Sequence, residues 1–260
     1  MLILKIGTII FASTLFSLGW QKEANVPKNG SLKKISPTKL SYDLSWNGKL
    51  KAGNMAIIFG KKDPKYPKHF ICQGYGGSSG WAHALFPFQF NYISFQNPRT
   101  LRPILFVGSE KERDKLTKQE YRFTSKGVTG SEKKTRGGKV STTKESYPYP
   151  NSLDLFSGLL QIRSMPLKNG DKVVMPFHPV ATPYLSRIKV LGRYTHRGRK
   201  CIKLDISMEK IDDKMQLKAY KKLKSATVWL SDDEWRIPIE IRAAVYVGDV
   251  RILLTKQEVL

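Results

Sequence analysis

The residues best suited to chemistry in this sequence are three consecutive acids, Asp232, Asp233 and Glu234. Two carboxylates can act as acid and base on a glycosidic bond, but only when they lie roughly 5–10 Å apart across a cleft. A calcium ion needs roughly six or more oxygen ligands, usually from a spaced acidic loop. Three neighbours on one tight turn meet neither requirement. We therefore interpret them as turn residues that bond backbone amides and pair with Arg236.

A second group of polar residues, Asp154, Ser157 and Arg163, lies in a segment with helical spacing. A nucleophilic serine would need a histidine base and an oxyanion hole, and a zinc site would need histidines with acidic partners at ligand spacing. The histidines are dispersed, at His69, His83, His178 and His196. We expect Asp154 to serve the N-terminus of the helix and Arg163 to anchor its C-terminus to the sheet. The sequence thus predicts no catalytic, cofactor-binding or metal-binding residue, no cofactor and no enzymatic activity.

The two cysteines, Cys72 and Cys201, both lie in apolar, strand-like runs. In an oxidising compartment they could form one disulfide. They could equally be two buried thiols in different strands, because a disulfide needs Cα atoms within roughly 7 Å. Neither has a histidine beside it, so a thiolate nucleophile is not expected. The sequence leaves their pairing open.

The N-terminus has the pattern of a secretory signal peptide. Residues 1–5 form a short start that is basic through Lys5, and the apolar run at residues 6–18 falls short of the ~20 residues that a membrane span needs. Ser17 and Gly19 place small residues at the −3 and −1 positions of a cleavage before Trp20. We predict a signal peptide at residues 1–19, a periplasmic protein, and no transmembrane span after cleavage. An uncleaved N-terminal anchor is the alternative.

The net charge of +24 creates a field that attracts polyanions. Outside the cytoplasm these are anionic lipids, lipopolysaccharide and cell-wall polymers, so nucleic acid is not expected as a partner. Most of the surplus lies in residues 111–144 and 187–224. The simpler interpretation is that these lysines and arginines cover solvent faces and discourage edge pairing of strands.

The rest of the chain reads as one β-rich domain, residues 40–255, after a flexible leader at residues 20–39. Alternating apolar and polar residues with hairpin signals at Asn47-Gly48 and Gly248-Asp249 predict a mainly β fold, an antiparallel sheet curled into a barrel or half-barrel. The expected strands are residues 40–46, 52–59, 69–75, 91–95, 101–107, 119–125, 127–132, 172–177, 185–193, 200–208, 227–230, 237–247 and 250–254.

Two helices interrupt these strands. The clear one covers residues 152–163, with Ser152 as its cap and Pro166 after its end. A second, short one covers residues 79–86 after the glycine-rich run 74–80. That run lacks the Gly-Lys-Ser/Thr ending of a phosphate-binding loop, so we interpret it as a flexible loop that enters the short helix.

Several motifs occur in an order that marks a family. They are Tyr42-x-Leu44-x-Trp46-x-Gly48, Ala52-Gly53, Leu101-Arg-Pro103, Asp154-Leu-Phe-Ser157-x-Leu159-Leu160-x-x-Arg163, Gly170-Asp171, Gly192, Gly198 and Val228-Trp-Leu-Ser-Asp-Asp-x-x-Arg236-x-Pro238. Over residues 40–254 the chain resembles a family of secreted bacterial proteins named domain of unknown function 3108. The resemblance implies the curled β fold and export. It implies no activity and no catalytic residues.

The leading hypothesis is a non-enzymatic periplasmic protein that binds an amphipathic or anionic component of the cell envelope. Aromatic residues would take the apolar part and the Lys/Arg stretches the charged head. The candidate aromatics are Trp46, Trp81, Trp229 and Trp235 with Phe86, Phe88, Phe90 and Tyr92. One alternative is an assembly factor that holds a partner protein by a sheet edge or basic face. A hydrolase of envelope polymers that uses Asp154, Asp232 or Asp233 is the less favoured one.

Overall fold

The computed structural model describes residues 19–25, 36–220, 223–245 and 248–260. The predicted signal peptide therefore lies outside the described residues except for Gly19, and so do residues 26–35 of the predicted leader. Within the described part of the chain, no helix is both long and apolar enough to cross a membrane.

The described chain forms fifteen strands and three helices. The first eight strands are β1 (Thr38–Trp46), β2 (Leu50–Lys61), β3 (Phe70–Ser78), β4 (Phe88–Gln96), β5 (Pro103–Glu112), β6 (Lys115–Thr124), β7 (Gly127–Arg136) and β8 (Lys139–Tyr147). The others are β9 (Lys172–Phe177), β10 (Tyr184–His196), β11 (Arg199–Ile211), β12 (Leu217–Ala219), β13 (Leu223–Ser231), β14 (Pro238–Val245) and β15 (Asp249–Val259). The helices are α1 (Gly19–Glu23), α2 (Gly80–Leu85) and α3 (Leu155–Ser164).

All strands belong to one antiparallel sheet, ordered β8-β7-β6-β5-β4-β3-β2-β1-β15-β14-β13-β11-β10-β9, with β12 beside β11. Strands β8 and β9 are its two edges, yet only residues 148–171 separate them in sequence. The segment that carries α3 must therefore pass from one edge of the sheet to the other. It can do so because the sheet curls: the Tyr147 hydroxyl near one edge donates to the Ala181 carbonyl beyond the other at 3.4 Å.

The predicted fold is confirmed as an antiparallel sheet, curled but not closed, with one clear helix and a second short one. The proposed cap of the clear helix is wrong. The helix begins at Leu155, and Asp154 caps it: its Oδ1 accepts from the Ser157 amide at 2.7 Å while Ser157 Oγ accepts from the Asp154 amide at 2.8 Å. Ser152 instead donates to the Tyr149 carbonyl at 3.3 Å. This reciprocal pair is a capping box, which satisfies amides that the first helical turn leaves free.

Strand β8 was absent from the sequence expectations. Most of its side chains are exposed, and inward-facing Glu145 and Tyr147 are only half-buried. Without a buried face the strand has no alternation of apolar and polar residues, which is the signal used to predict strands. Pairing of every β8 residue with β7 holds it in the sheet.

The helix α3 packs against the concave face of the sheet, and it contacts β3 at a glycine, Gly74. A Cβ atom at Gly74 on β3 would fall 3.0 Å from the Phe156 ring, so the absent side chain lets the helix approach the strand. Phe156 and Leu160 of the helix are buried in one cluster with Leu40 and Phe59 of the first two strands. The inner face of the sheet under α3 is therefore the main core.

The outer edge of β9 is covered by residues near the N-terminus. The Asn25 amide donates to the Val174 carbonyl at 2.8 Å, and the Asn25 side-chain oxygen accepts from the Val174 amide at 2.6 Å. Trp20 is buried, and its indole donates to the Met215 carbonyl at 2.8 Å. The described part of the predicted leader thus protects one sheet edge in the manner of an added strand.

Candidate ligand-binding face inside the sheet

A row of aromatic rings runs along the inner face from the rim to the core. Phe88, Phe90 and Tyr92 occupy alternate positions of β4, so they project to the same side as α3. Neighbouring ring centroids lie 6.1 Å apart for Phe88 and Phe90, 4.9 Å for Phe90 and Tyr92, and 5.6 Å for Tyr92 and Phe106. Phe88 and Phe90 are half-buried, whereas Tyr92 and Phe106 are buried. The row gives an apolar path from solvent into the sheet.

Helix α3 adds further accessible apolar surface. None of its residues is exposed, and its only half-buried residues are Leu155 and Leu159, which are four apart and share a face. A helix on a protein surface normally turns polar residues to solvent. These two leucines, with half-buried Met55 on β2, pack on the same cluster as Phe90. The accessible part of this inner region is therefore lined by apolar groups.

Polar groups on the inner face are held by tyrosines. The Tyr92 hydroxyl donates to Glu110 Oε1 at 2.5 Å, and the Tyr121 hydroxyl donates to Glu145 Oε2 at 2.9 Å. Burial, and then the neighbouring carboxylate, raises the pKa of each tyrosine well above its usual value. Both phenols therefore stay protonated and act as donors, which fixes the carboxylates in place.

The C-terminus of α3 is locked to the β13–β14 hairpin by two arginines. The Arg163 guanidinium donates twice to the Trp235 carbonyl, at 3.2 and 2.8 Å, and lies 4.8 Å from the Phe59 ring. The Arg236 guanidinium donates in return to the carbonyls of Arg163 and Pro166 at 3.4 and 3.3 Å. The prediction that Arg163 anchors the helix is confirmed, and its anchor is the hairpin that joins the last strands.

The acidic turn has the structural role that was predicted. Asp233 Oδ1 accepts from the Ser231 hydroxyl at 2.7 Å and from the amides of Trp235 and Arg236 at 2.9 and 3.0 Å. One part of the interpretation is wrong: the ion pair of Asp232 is with Arg193, at 3.1 Å, and not with Arg236. Arg236 is turned towards the helix instead, so the two most recognisable motifs of the sequence contact each other.

The remaining chemical candidates are dispersed. Cys72 and Cys201 are both buried and free, on β3 and β11, which resolves the alternative left open by the sequence. Burial raises the pKa of both thiols. Asp154 is fully buried under α3, and burial raises its pKa as well. Among the described residues, no three His, Cys, Asp or Glu side chains come together in a metal-binding group.

The tryptophans named as candidate aromatics differ in their surroundings, because Trp229 and Trp235 belong to the main core whereas Trp81 does not. Trp81 is exposed on α2. Trp229 is buried in the same cluster as Phe156, and its ring stacks at 4.5 Å on His196, close to the fully buried Glu240. His196, Arg197 and Arg242 lie 2.8, 2.8 and 2.5 Å from that carboxylate. Burial opposes ionisation, yet these partners lower the pKa of Glu240 to about 2. No sequence pattern indicates this cluster, because its members come from separate strands that only the pairing of the sheet brings together.

A curled, open antiparallel sheet that wraps one helix and leaves part of its inner face accessible defines a half-barrel protein. This chain belongs to the family described as protein of unknown function (DUF3108), whose model matches residues 41–255. The resemblance seen in the sequence is thereby confirmed. No curated protein sequence matches the chain.

The chain also matches several solved structures at low sequence identity. A β-barrel-like protein of the family DUF1849 from Brucella abortus has a TM-score of 0.56 and 10% identity, with 87% of this chain and 99% of that chain covered. A DUF1089 family protein from Pseudomonas aeruginosa has a TM-score of 0.38 and 11% identity over 72% of this chain and 88% of that one. The Mycobacterium tuberculosis lipoprotein LppX has a TM-score of 0.23 and 8% identity over 87% and 88%. Only the first likeness supports the shared fold.

Proposed function

We propose that this chain is a non-enzymatic protein, exported to the periplasm, that binds an amphipathic component of the cell envelope on the inner face of its sheet. The observation that carries the proposal is the accessible apolar lining formed by Phe88 and Phe90 of β4 with Leu155 and Leu159 of α3. Solvent-accessible apolar groups that converge in a concave region are typical of ligand sites. The N-terminal signal pattern and the surplus of cationic side chains support an envelope location.

The first experiment is native mass spectrometry of the protein after mild purification from the producing cell. We expect a fraction of the protein to carry a lipid-sized molecule. A fluorescent acyl probe gives the second measurement: Phe90→Ala should weaken its binding by roughly tenfold, because a stacked aromatic surface is lost. The matched control is Phe86→Ala, since Phe86 is 70% exposed beside α2 and outside the lining. Lipid-free protein with no probe affinity would refute the proposal.

An assembly factor that binds a partner protein is the second candidate, and strand β8 favours it. This edge strand runs from Lys139 to Tyr147, pairs only with β7 among the described strands, and has mostly exposed side chains. Its free backbone edge could accept an added strand from a partner. Thr142→Pro on β8 would remove an amide from the free edge, because alternation from the Gly137-Gly138 turn directs the Thr143 amide to β7 and the Thr142 amide away from it. Loss of function with unchanged probe binding would favour this candidate over the first.

A further inference from the structure

The less exposed polar side chains of the inner face are hydrogen-bond acceptors, whereas the cations Lys115 and Lys134 on the same face are more exposed. Gln119 on β6 is paired in register with Gly108 on β5 and with Glu132 on β7, so these three positions form one row across the sheet. Glu110 follows two residues after Gly108 and projects to the same side. The row lies beside the aromatic residues of β4, because Tyr92 is paired with Gly108.

Gln119 has an acceptor that nothing in the described structure uses. Its side chain is 3% exposed, and its Oε1 atom is buried without a hydrogen-bond partner. A Cβ atom at Gly108 would fall 2.6 Å from that oxygen and 3.2 Å from the rings of Phe106 and Tyr92. The amide oxygen therefore occupies the space that Gly108 leaves open between two aromatic rings. An unsatisfied buried acceptor destabilises a fold, so its presence here points to a donor supplied from outside the chain.

The neighbouring carboxylates have spare accepting capacity. Glu110 takes one hydrogen bond, from Tyr92, and a carboxylate can accept about four. Glu132 is paired with Lys134 at 2.5 Å, which leaves its other oxygen unpaired among the described residues. Neither Glu110 nor Glu145 has a cation as its described partner; each is held by a tyrosine hydroxyl. A phosphate or carboxylate head group placed here would face the carboxylates of Glu110 and Glu145, and the nearby cation Lys134 is already paired with Glu132.

We infer that the inner face selects a head group that donates hydrogen bonds, such as the hydroxyls of a sugar or an ammonium group, and that Gln119 determines this specificity. The inference rests on the proposed function and defines the head of the amphipathic ligand. Hydroxyl or ammonium hydrogens satisfy the free oxygens of Glu110 and Glu132, and that of Gln119 once its side chain turns out of the space beside Gly108. The faces of Phe88 and Phe90 accept the adjoining C–H or cationic surface. The cationic residues of the outer face are not needed for this recognition.

Three probes with the same dodecyl tail test the inference: dodecyl maltoside, dodecylammonium and dodecyl phosphate. Each is titrated into the purified chain by calorimetry, below its micelle concentration. The maltoside and the ammonium compound should bind at least about tenfold more tightly than the phosphate. Gln119→Leu should lower the maltoside affinity by roughly tenfold and bring it close to that of the phosphate. Glu110→Gln keeps an acceptor but loses the charge, so it should weaken dodecylammonium more than maltoside.

The matched control is Gln89→Leu, because Gln89 is an exposed glutamine on β4 whose side chain faces outwards. It should leave all three affinities unchanged. Thermal melts establish whether each variant is folded. If Gln119→Leu does not fold, the test is whether Glu110→Gln weakens the binding of dodecylammonium more than that of dodecyl maltoside. Dodecyl phosphate binding as tightly as the maltoside, or an unchanged preference in folded Gln119→Leu, overturns the inference alone. Absence of binding by all three probes to the parent chain overturns the proposed function as well.

Discussion

At the scale of single residues, the arginines of the two longest motifs exchange hydrogen bonds and hold the helix to the sheet. Arg163 is buried, and burial lowers its pKa to about 10. Even so it remains charged at neutral pH, because that pKa stays well above 7. Its two bonds to the Trp235 carbonyl satisfy a backbone group that the turn leaves free.

Replacing Arg163 by Met should destabilise the protein by about 2–3 kcal/mol, the usual cost of losing hydrogen bonds from a charged group and leaving an acceptor buried. Arg122→Met is the matched control. The Arg122 side chain is 64% exposed and pairs only with Glu120 in the described structure, so its loss should change stability by less than about 1 kcal/mol. Chemical denaturation of both variants measures the difference. Equal denaturation midpoints for the two variants would show that the hydrogen bonds of Arg163 do not stabilise the fold.

The surroundings of Trp229 indicate that its side chain stabilises the fold. It is 8% exposed, stacks on His196 and has the Arg242 guanidinium 4.8 Å from its ring. Trp229→Ala should cost about 3–5 kcal/mol because it empties a large aromatic site. Phe86→Ala, at an exposed ring, should cost far less. If Trp229→Ala melts like the parent but abolishes ligand binding, Trp229 belongs to a binding surface and is not a structural core residue.

At the scale of elements, α3 depends on its first turn. The prediction from sequence placed the helix within three residues of its observed start but named Ser152 as the cap, because a serine before an apolar periodic run is a common start signal. The capping box of Asp154 and Ser157 shows why this failed. Which of two polar residues caps a helix depends on the backbone around them, and Ser152 is drawn to the Tyr149 carbonyl.

Asp154→Ala should lower the free energy of unfolding by about 1–2 kcal/mol, because the Ser157 amide in the first turn loses its partner. Ser152→Ala is the control, since its hydroxyl donates to a single carbonyl and it should cost about 1 kcal/mol or less. Hydrogen exchange of the amides of α3 locates the effect, which should be confined to the helix in Asp154→Ala. Uniform loss of protection across the sheet would contradict a local capping role.

Much of the sheet was predictable from sequence, and the inner face was not. Alternation located most strands that have one buried side, such as β6, but not β8, which has no buried face. The family motifs located the helix and the last hairpin. The row of Gly108, Gln119 and Glu132 comes from three strands, and only the register of β5, β6 and β7 brings it together. A sequence carries no direct signal for register across a curled sheet, so this row was missed.

At the scale of the whole molecule, His178 marks the place where the two edges of the curled sheet approach. It is 1% exposed, both ring nitrogens lack partners, and its ring lies 4.6, 5.2 and 6.0 Å from those of Tyr121, Tyr147 and Phe123. Its backbone amide donates to the Leu153 carbonyl at 2.7 Å. Burial lowers the pKa of His178 to about 4. The apolar contacts across this gap therefore require a neutral imidazole.

The pH dependence of stability follows from that shift. The unfolded state protonates His178 near its ordinary pKa of 6.5, whereas the folded state does so only near pH 4. Burial of the neutral imidazole therefore contributes its full stability above pH 6.5, and this contribution is lost as the pH falls from 6.5 to 4. The shift corresponds to about 3 kcal/mol. His178→Phe should remove the loss of stability between pH 6.5 and 4. The lowered pKa of Glu240 affects stability only below about pH 4.5, and the raised pKa of Asp154 contributes equally to the parent and the variant. Denaturation midpoints at pH 7 and 4.5 should converge in the variant, and an unchanged pH slope would refute the assignment.

The order of strands has a consequence for how the chain folds. Every pairing in the described sheet joins strands close in sequence except that of β1 with β15, where Thr38 lies opposite Val259. Closing so long a loop is slow, because entropy is lost before the contact forms. The Leu260 amide donates to the Pro37 carbonyl at 2.8 Å, so a short linker could join these two positions. A circular permutant opened between Pro150 and Asn151, in the exposed turn between β8 and α3, would make β15 and β1 a local hairpin without separating any other pair of neighbouring strands. It should refold faster than the parent chain shortened to begin at Pro37, with the sheet retained.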